Sequence, residues 1–189
     1  CIRDRDKTLE GNTLKYWAKS LGLEPTVENG AELVIKAQLN GGASAIYHAM
    51  DEGDVENIMK HPLTMIASDG RLVVPGEGHP HPRWYGTFPR VLGLFVREKQ
   101  VLPLEEAIYK MSFLPAKTIG IKRRGLIKKG MFADITIFDK NRIIDRATFE
   151  KPHQYSEGIH YVLVNGELAI DNGEFQNIKA GKVLRKNSD

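Results

Sequence analysis

Residues 45–70, AIYHAMDEGDVENIMKHPLTMIASDG, decide the fold class of this chain. Two short apolar runs, at 45–47 and 63–67, flank a stretch from 51 to 60 whose apolar residues recur at helical spacing. The pattern predicts a buried strand, a helix and a second buried strand. Because short buried strands joined by a crossover helix are the unit of a parallel sheet, the sequence favours α/β architecture.

Helical periodicity extends over most of the first two thirds of the chain. Apolar residues at three- and four-residue intervals predict further helices at 11–23, 27–39, 87–98, 103–111 and 115–119. The stretch 71–85 is rich in proline and glycine, and it predicts an irregular loop of the kind that often carries function.

Beyond the last predicted helix the periodicity changes. The run 130–139 is rich in β-forming residues, and further along Asn165 and Gly166 separate two apolar stretches. An Asn-Gly pair in that position is a strong signal for a hairpin with a type I′ turn. We therefore predict an α/β portion over residues 1–121 and a β-rich portion over residues 122–189.

The composition is that of an ordinary globular protein and does not favour a nucleic-acid or membrane partner. Hydrophobic residues make up 41% and charged residues 27% of the chain, and the net charge is only +3. The densest basic stretch, 122–129, has no interleaved aromatic residues, so we interpret it as a solvated turn. No apolar run reaches the roughly 18 residues of a membrane span. The single cysteine, Cys1, fits a reducing compartment, and we expect a cytoplasmic protein.

Asp69 is the first candidate for chemistry because it follows the second predicted strand and precedes the irregular loop. Barrels of the α/β class place catalytic groups at the carboxyl ends of their strands. The alternative is that Ser68, Asp69 and Gly70 form an ordinary turn, since all three residue types favour turns.

A longer pattern resembles the N-acyl-D-amino-acid deacylase family of the amidohydrolase superfamily. Its most specific string is TFPRVLG at 87–93, which follows HPLTMIASDG at 61–70 and HPRWYG at 81–86. The likeness continues in shorter strings at 104–107, 110–111, 114–116, 124–127, 130–139, 145–149, 152–155 and 164–166. The resemblance therefore covers nearly the whole chain.

The resemblance implies a fold and a reaction. Residues 1–121 would be the C-terminal part of a TIM (β/α)8 barrel, and residues 122–189 a small β-sandwich portion. In such an enzyme zinc-activated water cleaves the amide bond of a small-molecule substrate, an N-acyl-D-amino acid. Asp69 would match the general acid/base at the end of the last barrel strand, beside the zinc and as one of its ligands.

Three further residues match substrate-binding positions of that family. Tyr47 and Met50 match residues that line the pocket for the acyl amino acid, with ordinary packing as the alternative. Arg83 matches an arginine suited to the substrate carboxylate, because a guanidinium fork fits that group. A solvated loop position is the alternative for Arg83.

The resemblance also indicates what this chain does not supply. The other zinc ligands of the family, histidines and a cysteine, belong to earlier barrel strands, and Cys1 does not match them. The His79-Pro80-His81 string has the form of a metal motif, but it follows the last strand and lies in a proline-rich loop. Because the chain begins without methionine, we expect an upstream part or a partner chain to supply the rest of the barrel. The isolated chain should be inactive.

Three functions remain open at this point. The first is a zinc-dependent deacylase of N-acyl-D-amino acids, which we favour for the whole protein. The second is a cyclic-amide amidohydrolase of the dihydroorotase or hydantoinase kind. The third is a non-catalytic remnant that acts as a structural or interaction module.

Overall fold

The computed structural model describes residues 9–42 and 44–185. The helices of this part are α1 (Leu14–Ser20), α2 (Val27–Leu39), α3 (Glu52–Lys60), α4 (Arg83–Arg90), which continues as a π-helix over Val91–Glu98, α5 (Leu104–Met111) and α6 (Phe113–Ile119). The strands are β1 (Ile135–Phe138), β2 (Ile159–Val164), β3 (Glu167–Asp171) and β4 (Glu174–Phe175). All the predicted helices are present. None in the described part has the length and apolar character needed to cross a bilayer.

Helices α1 and α2 pack around a small apolar core of their own. Each begins after a threonine whose side-chain oxygen accepts a backbone hydrogen bond, Thr13 from Tyr16 and Thr26 from Asn29. The buried members of this core are Leu9, Trp17, Ala18, Leu33 and Ala37. Because this cluster combines side chains of α1 and α2 with Leu9, which precedes both helices, the two helices stabilise each other by direct packing.

The two predicted strands at 45–47 and 63–67 are not strands in the structure. Their residues are exposed or half-buried, and neither segment pairs in a sheet. In the second segment the Ile66 N–H instead donates to the carbonyl of Lys110 in α5, at 3.1 Å. The strand prediction was wrong for the described residues. A strand forms only beside a partner strand, and no described strand lies beside 45–47 or 63–67. The helix between the two segments, α3, is present as predicted.

Helix α4 begins at Arg83, four residues before the predicted start at Thr87, so the loop predicted over 71–85 is shorter. At this start Nδ1 of His81, the residue before the N-cap Pro82, accepts a hydrogen bond from the Arg83 N–H at 3.0 Å. The Thr87 hydroxyl donates to the Arg83 carbonyl inside the helix, at 3.0 Å. Pro82 at the N-cap makes no side-chain cap bond, and the histidine before it satisfies the first helical N–H instead.

Pro89 lies inside α4 without leaving a carbonyl unsatisfied. It has no N–H to donate to the carbonyl of Tyr85, four residues earlier. The hydroxyl of Ser156 donates to that carbonyl instead, at 3.3 Å. The proline position thus becomes a point of attachment for the β-rich portion.

Two glycines on α4 and its π-helical continuation allow the β-rich portion to approach closely. A Cβ atom on Gly86 would lie 2.4 Å from the Cβ of Asp145. A Cβ atom on Gly93 would lie 2.5 Å from the carbonyl oxygen of Ile143. Neither distance is possible for real atoms, so no other residue type fits at these two positions without a shift of the backbone.

Two arginines on the same helix bind the segment that the glycines face. Arg90 forms an ion pair with the buried carboxylate of Asp145, at 2.9 Å. Arg97 donates to the carbonyl of Ile143, at 2.6 Å. The glycines provide the space and the arginines provide the polar contacts of one interface.

The four strands form one antiparallel sheet in the order β1-β2-β3-β4. Asn165 and Gly166 turn β2 into β3 with φ values of 51° and 87°, as a type I′ turn requires. Asp134 accepts a hydrogen bond from the Asn165 N–H at 2.7 Å, and Arg124 donates to both side chains. The predicted hairpin is confirmed. The described residues show a single sheet, so the β-sandwich stays a prediction.

The main apolar core joins the helices to the β-rich portion. Its buried members are Met59, Val91, Leu92, Phe95, Leu102, Ala107 and Ile143. Ile143 lies beyond the predicted boundary at residues 121 and 122, yet it is 1% exposed and belongs to this cluster. The two portions therefore share packing, and the boundary stays a prediction.

Replacing Gly93 by alanine should lower the free energy of unfolding by about 1–3 kcal/mol. The added methyl group must displace the backbone at Ile143, and this cost exceeds the gain in helix propensity. Gly181→Ala is the matched control, because a Cβ atom there meets nothing within 4 Å. Urea denaturation of the two variants measures the difference, and equal midpoints would contradict the close approach.

Candidate active site

Asp69 lies at the surface, two residues after the end of the apolar segment at residue 67. Its backbone is left-handed, with φ 44°, and the Gly70 N–H donates to the Ser68 hydroxyl oxygen at 3.2 Å. The Asp69 side chain is 85% exposed. Residues 68–70 thus form a turn that presents the carboxylate to solvent, and the turn and the catalytic interpretation are compatible.

Arg83 holds the carboxylate of Asp69. Its Nη2 donates to Oδ2 at 2.6 Å, and its Nε donates to the backbone carbonyl of Asp69 at 3.3 Å. Because the pair is exposed, it contributes at most about 1 kcal/mol to stability. Its main effect is geometric, since two bonds from the first residue of α4 restrict the orientation of Asp69.

Tyr47, Asp69 and Arg83 line one hollow of about 450 Å³. The structure therefore brings together three of the four candidate site residues. The other charged or polar side chains of this hollow include Glu10, Arg71, His79, His81 and Trp84.

Met50, the fourth candidate, lies apart from this group. It lines a second hollow of about 630 Å³, whose surface is mainly apolar. Its apolar lining includes Val55, Ile58, Met65, Ile66 and Phe95. Arg83 and His81 line both hollows, so the two spaces adjoin at the start of α4.

Comparison with known proteins identifies the family. The profile of the "Amidohydrolase family" matches residues 17–170. The chain belongs to the amidohydrolase family. It is 42% identical over 159 residues to an N-acyl-D-glutamate deacylase of Alcaligenes xylosoxydans xylosoxydans, covering 84% of this chain and 32% of that protein. A dihydroorotase of Lactobacillus gasseri is 34% identical over 90 residues, covering 42% of this chain and 21% of that protein.

Two solved structures of deacylases are similar to this amidohydrolase. A D-aminoacylase studied for its binuclear metal centre matches with a TM-score of 0.80 and 39% identity, over 92% of this chain and 34% of that one. An N-acyl-D-glutamate deacylase from Bordetella bronchiseptica, complexed with zinc and a phosphonate inhibitor, matches with a TM-score of 0.72 and 39% identity, over 84% and 31%. The resemblance to the deacylases is thus confirmed. The chain spans about a third of the length of these relatives.

His79 and His81 of this amidohydrolase form hydrogen bonds with backbone groups. His79 donates through Nε2 to the Phe149 carbonyl at 2.5 Å, and Nδ1 of His81 accepts from the Arg83 N–H at the start of α4. The Phe149 ring also contacts the rings of His48 and His81 edge-on, with centroids 4.5 Å and 5.3 Å away. Sequence reasoning missed the contact between His48 and Phe149. The sequence signal nearest to this contact was the string at 145–149, which resembles the deacylase family and includes Phe149.

His153 fastens the loop before α4 to the β-rich portion. Its Nε2 donates to the Gly78 carbonyl at 2.9 Å. Its Nδ1 accepts from the Gly76 N–H at 3.3 Å and from the Tyr85 hydroxyl at 2.9 Å, which requires a neutral imidazole. Burial raises the pKa of Tyr85, and the nearby Tyr155 raises it further, so the hydroxyl remains a donor at neutral pH.

The described residues do not form a complete metal site. Within 9–42 and 44–185, no group of three or more histidine, cysteine, aspartate or glutamate side chains is placed to hold an ion. A catalytic zinc ion normally has about three protein ligands and an open position. Asp69 fits as a single oxygen ligand by its chemistry and exposure, so further donors would have to come from outside this part of the chain.

Acidification should weaken the start of α4 through His81. Burial lowers the pKa of His81 from its usual value, and the Arg83 guanidinium lowers it further. The unfolded chain therefore takes up this proton at a higher pH than the folded one. The stability that neutral His81 contributes is fully present above about pH 6.5 and is lost as the pH falls towards the folded pKa.

His81→Asn tests this prediction, because an asparagine oxygen can still accept from the Arg83 N–H but cannot take up a proton. The free energy of unfolding of the wild type should fall more than that of the variant between about pH 7.5 and about pH 5.5. Urea denaturation at both pH values gives the two differences, and His160→Asn is the control for histidine removal elsewhere. An identical pH dependence in the wild type and His81→Asn would refute the role of His81.

Proposed function

We propose that the protein that carries this chain is a zinc-dependent hydrolase of the amide bond of N-acyl-D-amino acids. The observation that supports this most is the meeting of Asp69, Arg83 and Tyr47 in one hollow. The chain that forms this hollow shares its fold with two solved deacylases at 39% identity.

The proposed architecture is a TIM (β/α)8 barrel whose C-terminal part is formed by residues 1–121, with 122–189 as part of a small β-sandwich. The segments 45–47 and 63–67 flank α3 in the order expected of two barrel strands, but they lack partner strands among the described residues. The relatives are about three times as long as this chain. Strands from the rest of the protein, or from a partner chain, would complete the ladders and cover the exposed apolar side chains.

Asp69 is the proposed general acid/base. Hydrolysis forms a bond between the water oxygen and the acyl carbon, and it breaks the bond between that carbon and the amide nitrogen. The carboxylate of Asp69 takes a proton from the attacking water and later donates it to the departing amine. Because Arg83 engages Oδ2, we assign this proton to Oδ1.

Asp69 is also the zinc ligand that we assign to this chain, and the other ligands belong to the rest of the protein. Bound zinc would supply a Lewis acid that polarises the amide carbonyl and lowers the pKa of the attacking water.

The substrate would extend from the polar hollow into the apolar one. Tyr47 lines the same hollow as Asp69, and Met50 lines the adjoining apolar space, which suits an acyl chain or an apolar side chain. Arg83 lines both spaces, so its guanidinium can face the substrate carboxylate while it holds Asp69.

The complete natural protein should release amino acid from N-acetyl-D-amino acids in the presence of zinc. Asp69→Asn should lower kcat by roughly 10²–10⁴-fold, because asparagine cannot carry the proton. Asp171→Asn is the matched control, since Asp171 is an exposed aspartate at the end of β3. The isolated 189-residue chain should show no turnover.

Three outcomes would contradict the proposal. Turnover of dihydroorotate or hydantoins without turnover of acyl-D-amino acids would favour the cyclic-amide alternative. A folded, zinc-loaded protein that hydrolyses neither class would favour a structural or interaction role. Full activity of Asp69→Asn would remove Asp69 from the mechanism.

A further inference from the structure

Lys110 is a buried lysine that the proposed mechanism does not use. It lies in α5, and its side chain is 1% exposed. Lysine is rarely so buried unless its ammonium group is paired. Here the ammonium donates to the carbonyls of Met59 at 2.8 Å and His61 at 2.5 Å, and Glu106 lies 3.4 Å away as the partly exposed counter-ion.

The carbonyls that Lys110 binds lie in the last turn of α3 and at the residue that follows it. Helix α3 ends at Lys60, and the next residues, His61 and Pro62, start the segment that leads to Asp69. The last carbonyls of a helix have no intrahelical donor, and a cation near them is favourable. One ammonium group therefore fixes the point at which the chain leaves α3.

The backbone of Lys110 fixes the same segment at a second point. Its carbonyl accepts from the Ile66 N–H at 3.1 Å, three residues before Asp69. Between these two points the segment has no sheet pairing in the described part of the chain. The direction in which the segment reaches Asp69 thus depends on bonds to one residue of α5.

We propose that Lys110 is a positioning residue for Asp69. It acts through the segment 61–67 and touches neither substrate nor zinc. The inference rests on the function proposed above, because it concerns the placement of the acid/base carboxylate. An error of about 1 Å in the position of a reacting group can reduce a rate about 100-fold, so loss of the ammonium should appear in kcat.

The test uses the complete natural protein, loaded with zinc, and the substrates N-acetyl-D-methionine and N-acetyl-D-glutamate. Lys110→Met replaces the lysine by an apolar side chain of similar length. Its kcat should fall roughly 10- to 100-fold while KM changes less than about threefold and the zinc content is unchanged. Lys110→Arg, which keeps a cationic donor, should recover part of the lost kcat.

Leu102→Ala separates positioning from simple loss of stability. Leu102 is buried in the same apolar core but makes no hydrogen bond to the segment, so this variant should be destabilised with kcat within about twofold of the wild type. Assays run well below the unfolding temperature of every variant. An equal loss of kcat in Leu102→Ala, or an unchanged kcat in Lys110→Met, would overturn the inference.

Glu106→Gln and Glu105→Gln decide the question if Lys110→Met does not fold. Glu106 is the counter-ion of Lys110, whereas Glu105 is its exposed neighbour on α5. Glu106→Gln should lower kcat at least roughly twofold relative to Glu105→Gln, at similar KM. Equal kcat values in these two variants would overturn the inference. Absence of turnover by the wild type on both substrates would instead refute the proposed function.

Discussion

The close approach of α4 to the chain at residues 143–145 is the constraint on which the rest of the structure depends. The approach is possible because Gly86 and Gly93 have no side chain, and it does not depend on large side chains that interlock. The Arg90–Asp145 pair then forms where the Asp145 side chain is 7% exposed. A charge so buried is tolerated only with its partner in place, so the ion pair enforces the register that the glycines permit.

That same contact determines the geometry of the candidate site. The helix that packs on residues 143–145 begins with Arg83, and Arg83 binds both the carboxylate and the carbonyl of Asp69. The loop before the helix is fastened to the β-rich portion by His153 and through the Phe149 carbonyl. The β-rich portion therefore contributes no proposed catalytic residue, yet it holds the helix and the loop from which the arginine reaches the aspartate.

Local signals predicted the elements whose stability is local. The apolar spacing of α2 gave its bounds, and the Asn165-Gly166 pair gave the hairpin, because both depend on residues close in sequence. The start of α4 was missed because its N-cap is Pro82, which makes no side-chain cap bond, and the acceptor for the Arg83 N–H is the preceding His81. The two tight glycines, Gly86 on α4 and Gly93 on its π-helical continuation, face a segment about 50 residues away, which periodicity cannot reveal.

The candidate site divides in the same way. Asp69 was singled out by its place after a predicted strand and then by the resemblance to the deacylases, and Arg83 and Tyr47 by the resemblance alone; the structure places all three in one hollow. Met50 borders the adjoining hollow instead. The pairing of Arg83 with Asp69 could not be read from the sequence, because it needs α4 to begin at Arg83.

The mispredicted strands at 45–47 and 63–67 show the remaining limit of sequence-based prediction. An apolar run predicts that a segment is buried, but it does not identify the part of the protein against which the segment packs. Here the runs keep exposed apolar side chains, as at Tyr47 and Met65, and such surfaces commonly mark a contact with further protein. The lack of partner strands beside 45–47 and 63–67 in the described part made the strand prediction wrong. It is also what supports the proposed barrel, in which strands from the rest of the protein would pair with these segments.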